Sequence, residues 1–252
     1  MILLLDIGNT HTHVALATGR RISHSQNWKT GDIRAGRALD LLEPIVAQRR
    51  LTGACLCSVV PAATAPVQGA LQQRLGFTAL QLGPETIRGV GIDYPRPASI
   101  GQDRLANAVA ARHRFGAPVL VVDFGTAVTF DVVDANGNYL GGVIAPGLAA
   151  MTDYLHEKTA LLPRIRIREP RSAIGKNTEH AMLVGAVYGY RGLVRQLIHD
   201  VKAELGARRL PVVATGGYAK LMARGVTEIT AVSPGLTLEG LRLTWEAHRA
   251  GA

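Results

Sequence analysis

Two carboxylates close two short apolar runs. Met1-Ile2-Leu3-Leu4-Leu5 leads into Asp6-Ile7-Gly8-Asn9-Thr10, and Pro118-Val119-Leu120-Val121-Val122 leads into Asp123-Phe124-Gly125-Thr126. An apolar run of this length bounded by turn residues reads as a buried strand, so each Asp sits where a strand leaves the core. The glycine that follows has no Cβ, which lets backbone N–H groups approach a phosphate closely, with a Thr hydroxyl as a further donor. A carboxylate does not bind phosphate directly, but it can hold Mg²⁺ or its water shell, which bridges phosphate oxygens. Asp-x-Gly at a strand end is also ordinary turn chemistry. Here the whole device occurs twice, each time before a β-like stretch (His13 to Ala17, Ala127 to Val133), and this favours two halves facing one nucleotide.

A third acid stands apart from these turns. The Gly- and Pro-rich stretch from Gly89 to Pro97 reads as a loop, and it runs into Ile100-Gly101-Gln102-Asp103-Arg104, where a helical pattern begins. Asp103 in a first turn suits the helix dipole, and it is equally a candidate catalytic carboxylate. Gly141-Gly142, Gly175-Lys176-Asn177-Thr178 and Thr215-Gly216-Gly217 each precede a helical pattern, as an anion site or as simple punctuation. Gly175-Lys176-Asn177-Thr178 is not a Walker A loop, because Pro170 stands where its first glycine is required. His11 and His13 read as strand histidines, since no third ligand has matching spacing. Cys55 and Cys57, the two cysteines of the chain, fall on one face of a strand and read as buried, reduced thiols.

The elements needed to position these residues follow from periodicity. Strands are expected near 1–6, 12–18 and 20–27, then a helix over 32–50, a strand at 53–60, a helix over 62–75 and a strand near 78–82. A helix running to Phe115 leads into the second half. That half restarts with strands at 118, 127–134 and 138–145, with Asn136-Gly137 as a hairpin turn between the last two. Helices near 147–160 and 177–204, a strand at 211–215, a helix from 217, a strand near 228–232 and a closing helix from 235 complete it. Met182, Ala186, Tyr190, Leu193 and Leu197 mark one face of the long helix, for burial or for packing in a dimer. Arg164-Ile165-Arg166-Ile167-Arg168 alternates as a strand with one solvated face. The fold expected is α/β with mixed sheets in two similar halves, divided into domains 1–117 and 118–252.

Composition limits the partners. Apolar residues make up 47% and charged residues 19%, as in a soluble globular protein. The apolar N-terminus is too short for a membrane span and lacks the basic leader of a signal peptide, so the chain is expected in the cytoplasm, away from membranes. A net charge of +9 would suit nucleic acid, but the arginines are scattered and few aromatics interleave with them. Nucleic acid is therefore not an expected partner, and the basic excess favours anionic substrates.

Taken together the motifs resemble the type III pantothenate kinases, within the acetate and sugar kinase, chaperone ATPase and actin superfamily. Asp6 to Thr10 is similar to the family's first phosphate motif, Gly101-Gln102-Asp103-Arg104 to its substrate motif, and Asp123 to Thr126 to its second phosphate motif. Gly141 to Leu148, Thr159 to Pro163, Gly175 to Thr178 and Thr215 to Gly217 follow in the family's order. The resemblance implies two ribonuclease-H-like domains of the actin-like ATPase kind, with nucleotide bound in the cleft between them. It implies ATP-dependent phosphorylation of pantothenate to 4'-phosphopantothenate, the first step of coenzyme A biosynthesis.

By the same resemblance, Asp103 would be the catalytic base. Tyr94, Gly101, Gln102, Asp103, Arg104 and Thr178 would bind pantothenate. Asp6, Ile7, Gly8, Asn9, Thr10, His11, Thr12 and His13, with Thr126, would bind ATP. Asp123 would hold a monovalent cation, K⁺ or NH₄⁺, and Asp6 would face Mg²⁺ carried with ATP. A homodimer with its active site at the interface is also implied. Gln102 departs from the pattern, since the family usually has a small apolar residue there. Two other readings stand beside this one: another small-molecule kinase or phosphatase of the superfamily, and a non-enzymatic regulator that senses nucleotide.

Overall fold

The computed structural model describes residues 1–47 and 49–250. By their contacts these form two compact units. The first holds the chain up to Gly116, the short segment Gly137–Gly141 and the C-terminal segment from Gly235, and the second holds the remainder.

In the first unit β1 (Ile2–Ile7), β2 (His11–Thr18) and β3 (Arg21–Lys29) form an antiparallel meander. The helix expected over 32–50 is two helices, α1 (Thr30–Arg34) and α2 (Ala38–Val46). Gly36 between them has φ +86°, a left-handed turn that a continuous helix cannot contain. β4 (Ala54–Ser58), α3 (Pro61–Leu75) and the two-residue β5 (Leu80–Gln81) follow. β4 lies parallel to β1, which gives the order β3-β2-β1-β4-β5. Leu3, Leu5, Ile7, Val14, Leu16 and Leu56 from the strands pack with Ile33, Leu42, Ile45, Val67 and Leu71 from α1, α2 and α3. β1 is the middle strand, so Ile2 through Leu5 are all buried. Its unbroken apolar run is the signature of a strand covered on both faces.

The loop 89–97 holds one short strand, β6 (Gly91–Ile92), before α4 (Gln102–Phe115). In the second unit β7 (Val119–Phe124), β8 (Ala127–Val133) and β9 (Asn138–Pro146) repeat the meander. Asn138 and Tyr139, grouped with the first unit, pair in parallel with β6. Then come α5 (Leu148–Lys158), α6 (Thr178–Val184), α7 (Tyr190–Glu204), β10 (Val212–Gly216), α8 (Ala219–Ala223) and β11 (Ala231–Val232). β10 is parallel to β7, and the order β9-β8-β7-β10-β11 reproduces that of the first sheet strand for strand.

Two further local expectations need correction. The helix over 177–204 is interrupted by a π-helical turn at Gly185–Gly189. The extra residue in that turn shifts the buried face to Leu183, Ala186, Val187, Tyr190, Val194 and Ile198, leaving Leu193 and Leu197 half-buried. Residues 164–168 keep alternating exposure but form no strand, because among the described residues no neighbouring strand supplies a ladder. Arg164 instead lies 3.9 Å from Asp153, and Arg168 3.5 Å from Glu179.

The closing helix α9 (Leu236–Ala250) packs within the first unit, against α4. A Cβ on Gly240 would collide with Ala106 O, so the two helix backbones approach as closely as glycine permits. Thr237 Oγ1 donates to Asn107 Oδ1 at 2.9 Å in the buried seam. The Trp245 ring covers Gly53 just before β4, in space that any side chain there would occupy.

Candidate active site

The two acid-bearing turns are built alike. In the first, Gly8 N–H donates to His11 O at 3.0 Å, and in the second Gly125 N–H donates to Ala127 O at 3.0 Å. A Cβ on Gly8 would come within 2.9 Å of His11 O, so this close approach calls for glycine. Asp6 pairs antiparallel with His13 and parallel with Cys57, while Asp123 pairs antiparallel with Thr129 and parallel with Thr215. Each carboxylate therefore ends the central strand of its sheet beside a small buried side chain. Exposed Asn9, Thr10 and His11 follow Asp6, and exposed Gly125 and Thr126 follow Asp123. Thr12 is buried with its hydroxyl 3.0 Å from that of Thr30, which donates to Gly8 O at 2.7 Å and braces the first turn from below. His13 is exposed on β2, where partial desolvation and then neighbouring His11 lower its pKa and favour the neutral ring. Among the described residues no three His, Cys, Asp or Glu side chains cluster as a metal-binding group.

In the first unit Asp6 is joined by Asp103. The Cys57 thiol donates to Asp6 Oδ1 at 3.4 Å. Burial, then the Asp6 carboxylate and then that of Asp103, hold that thiol protonated. Cys55 is buried likewise, its pKa pushed up to about 12, and both cysteines are free thiols. Asp103 occupies the first turn of α4, where Oδ1 accepts from Arg104 N–H at 2.9 Å. A Cβ on Gly101 would lie 2.7 Å from that oxygen, so glycine at the N-cap makes the room the carboxylate uses. Burial raises the Asp103 pKa, and the backbone hydrogen bonds and the Arg104 charge only partly offset it.

Arg104 extends to 5.8 Å from the Tyr139 ring centroid, and Tyr94 meets the same ring edge-on at 6.3 Å. Gly141 passes under Tyr94, where a Cβ would be 3.1 Å from the ring. Sequence read Cys57 only as a buried thiol, and it did not single out Tyr139 or Gln81. Tyr139 had one usable signal, its place two residues after the Asn136-Gly137 hairpin turn.

In the second unit Asp123 Oδ1 sits over Gly216, whose Cβ would be 2.5 Å away, and Gly216 has φ +88°. Gly147 N–H donates to Thr126 O at 3.1 Å, and a Cβ on Gly147 would collide with that carbonyl. Thr178 is exposed at the start of α6, beside Asn177, whose side chain caps the helix by accepting from His180 N–H at 2.8 Å. Asp123 and Thr126 thus share one turn, and Thr178 begins a separate helix.

Two sheets of one topology, each with an Asp-Gly turn closing its central strand, form a fold that this chain shares with sugar kinases of known structure. A ROK family glucokinase from Streptomyces griseus, solved with glucose and AMPPNP, matches with TM-score 0.58 at 13% identity, over 97% of this chain and 99% of that one. A Campylobacter jejuni structure assigned to the Baf family of transcriptional activators matches with TM-score 0.64 at 18% identity, over 98% and 99%. Residues 2–200 match the family model of the type III pantothenate kinases. A type III pantothenate kinase of Akkermansia muciniphila is 47% identical over 241 residues, 96% of each chain. The chain belongs to the type III pantothenate kinase family.

Proposed function

We propose that the chain transfers the γ-phosphoryl group of ATP to the primary hydroxyl of pantothenate, giving 4'-phosphopantothenate and ADP. Family membership over nearly the whole length carries this reading, and the duplicated turn with a partly buried carboxylate beside it supplies the chemistry. Phosphoryl transfer asks a protein mainly for alignment and for compensation of charge. The turns at Asp6–His13 and at Thr126 offer backbone N–H and hydroxyl donors to the phosphates. Asp103 accepts the hydroxyl proton as the oxygen attacks, a role its raised pKa suits. Arg104, held beside Tyr139, compensates the pantothenate carboxylate, and Tyr94, Gly101 and Thr178 complete the acceptor site.

Mg²⁺ arriving with ATP needs only one or two carboxylates, because phosphates and water supply its other ligands, and Asp6 at the end of β1 fits that demand. Asp123, beside the side-chain-free Gly216, fits a monovalent cation, K⁺ or NH₄⁺. Bound, such ions neutralise charge on the phosphate oxygens.

A homodimer and a cytoplasmic location belong to the same reading. Met151, Tyr154 and Leu155 lie at one-face spacing on α5 and are exposed, and Leu161 after the helix is 89% exposed, as an uncovered interface would be. No helix among the described residues is long and apolar enough to cross a membrane.

The test is ADP release from MgATP with pantothenate and with a panel of other hydroxyl acceptors, in K⁺, NH₄⁺ and Na⁺ buffers. Turnover that requires pantothenate and falls in Na⁺ supports substrate and cation together. Turnover with another acceptor alone, or tight ATP binding without turnover, would replace this reading with another kinase or a nucleotide sensor.

A further inference from the structure

We propose that Gln102 is a positioning residue, whose side-chain carbonyl pins the first turn of α4 to the end of β4 and so fixes where Asp103 presents its carboxylate. The inference rests on the phosphotransferase reading above. It begins from a mismatch of strand lengths. β5 pairs with Cys55 and Leu56, and Leu82 N–H donates to Leu56 O at 2.8 Å, after which the chain turns away at Gly83. Ser58, two residues further along the same edge of β4, has outrun its neighbour. Its N–H needs an acceptor, since an unpaired backbone donor in this setting costs about as much as a lost hydrogen bond.

Gln102 supplies that acceptor. Ser58 N–H donates to Gln102 Oε1 at 2.9 Å, and Gln81 Nε2 donates to the same oxygen at 3.3 Å. The Ser58 donor itself fixes which end of the amide is the carbonyl. An amide carbonyl has two lone pairs, and both are taken by the protein, so this oxygen is not a substrate ligand. The preceding residue of the same strand end, Cys57, donates to Asp6 Oδ1. Two consecutive residues of β4 therefore hold the two candidate site acids of this unit, Asp6 through the Cys57 thiol and the turn carrying Asp103 through the Ser58 amide. A small apolar residue at 102, as the family resemblance leads one to expect, would leave Ser58 N–H without this partner.

The experiment compares Gln102→Ala and Gln102→Glu with the wild type. It reads steady-state kinetics in pantothenate, the pH profile, and hydrogen exchange at the Ser58 amide. Gln102→Ala should lower kcat about tenfold or more with KM for pantothenate within about twofold, as a misplaced reacting group does, and should speed Ser58 exchange. Gln102→Glu keeps an acceptor and should restore Ser58 protection and most of kcat at high pH. The added charge beside Asp103 should move the acid limb upward. A raised KM with kcat kept would make Gln102 a substrate ligand and overturn the proposal, as would unchanged kcat with unchanged Ser58 exchange. If the wild type shows no pantothenate turnover, the functional reading fails, and Ser58 exchange in the two variants still decides whether the clamp exists.

Discussion

Asp103 carries two costs that point in opposite directions. Its ionised form is disfavoured by burial, yet a base must be ionised to take a proton. Because its pKa is raised, the acid limb of kcat/KM should lie above the ordinary carboxylate range, with activity rising as pH climbs through it. The stability consequence has the opposite sense. A raised folded-state pKa contributes stability below the unfolded value, and that contribution is lost as pH rises through the folded value. Asp103→Asn should therefore lower kcat by at least about 10²-fold, while its Tm at neutral pH equals or exceeds that of wild type and the gap closes in acid. A matching loss of Tm and activity would make Asp103 a structural residue. The candidate acids were legible in the sequence because each ends an apolar run or opens a helix. The contacts that Cys57 and Gln81 make were not, although Cys57 was read correctly as a buried thiol, because they join elements 21 or more positions apart in the chain.

The repeated element is the strand-turn-strand carrying each acid, and its duplication is far clearer in the sheets than in the residues. Sequence showed two Asp-Gly turns and two runs of three strands. The equivalent parallel neighbours, Cys57 beside Asp6 and Thr215 beside Asp123, share no residue type that an eye could match. The elements that sequence misjudged failed for identifiable reasons. Gly36 breaks a helix that hydrophobic spacing alone continues, and the π turn at Gly185–Gly189 resets the face of another. The strand suggested by residues 164–168 lacks a neighbour to pair with among the described residues. A glycine test belongs at this scale. Gly216→Ala forces a Cβ toward Asp123 Oδ1 at a residue with φ +88°. It should cost about 2 kcal/mol of stability in urea unfolding and weaken the response to K⁺. A variant as stable and as K⁺-responsive as wild type would separate Gly216 from the Asp123 turn.

At the scale of the whole molecule, the C-terminal helix is the feature a linear reading could not assign. Sequence placed it with the second half by order alone, whereas its small residues fit it to α4 in the first unit, Gly240 against Ala106 and Thr237 against Asn107. Assembly offers another test. If the exposed apolar residues of α5 lie in a homodimer interface, light scattering should return twice the chain mass, and Tyr154→Glu with Leu161→Glu should return the monomer. If Thr178 reaches the substrate of the partner chain, mixing inactive Asp103→Asn and Thr178→Val proteins should rebuild one intact site per mixed dimer. No recovered activity after verified subunit exchange would place each site within a single chain.

The most direct test of the central claim is mass-spectrometric detection of phosphopantothenate from MgATP and pantothenate, with wild-type and Asp103→Asn proteins assayed side by side in K⁺. The account predicts product from the wild type and at least about 10²-fold less from a folded, ATP-binding variant. Equal product from both would contradict the role of Asp103, and no product from either would contradict the assignment of pantothenate as the acceptor.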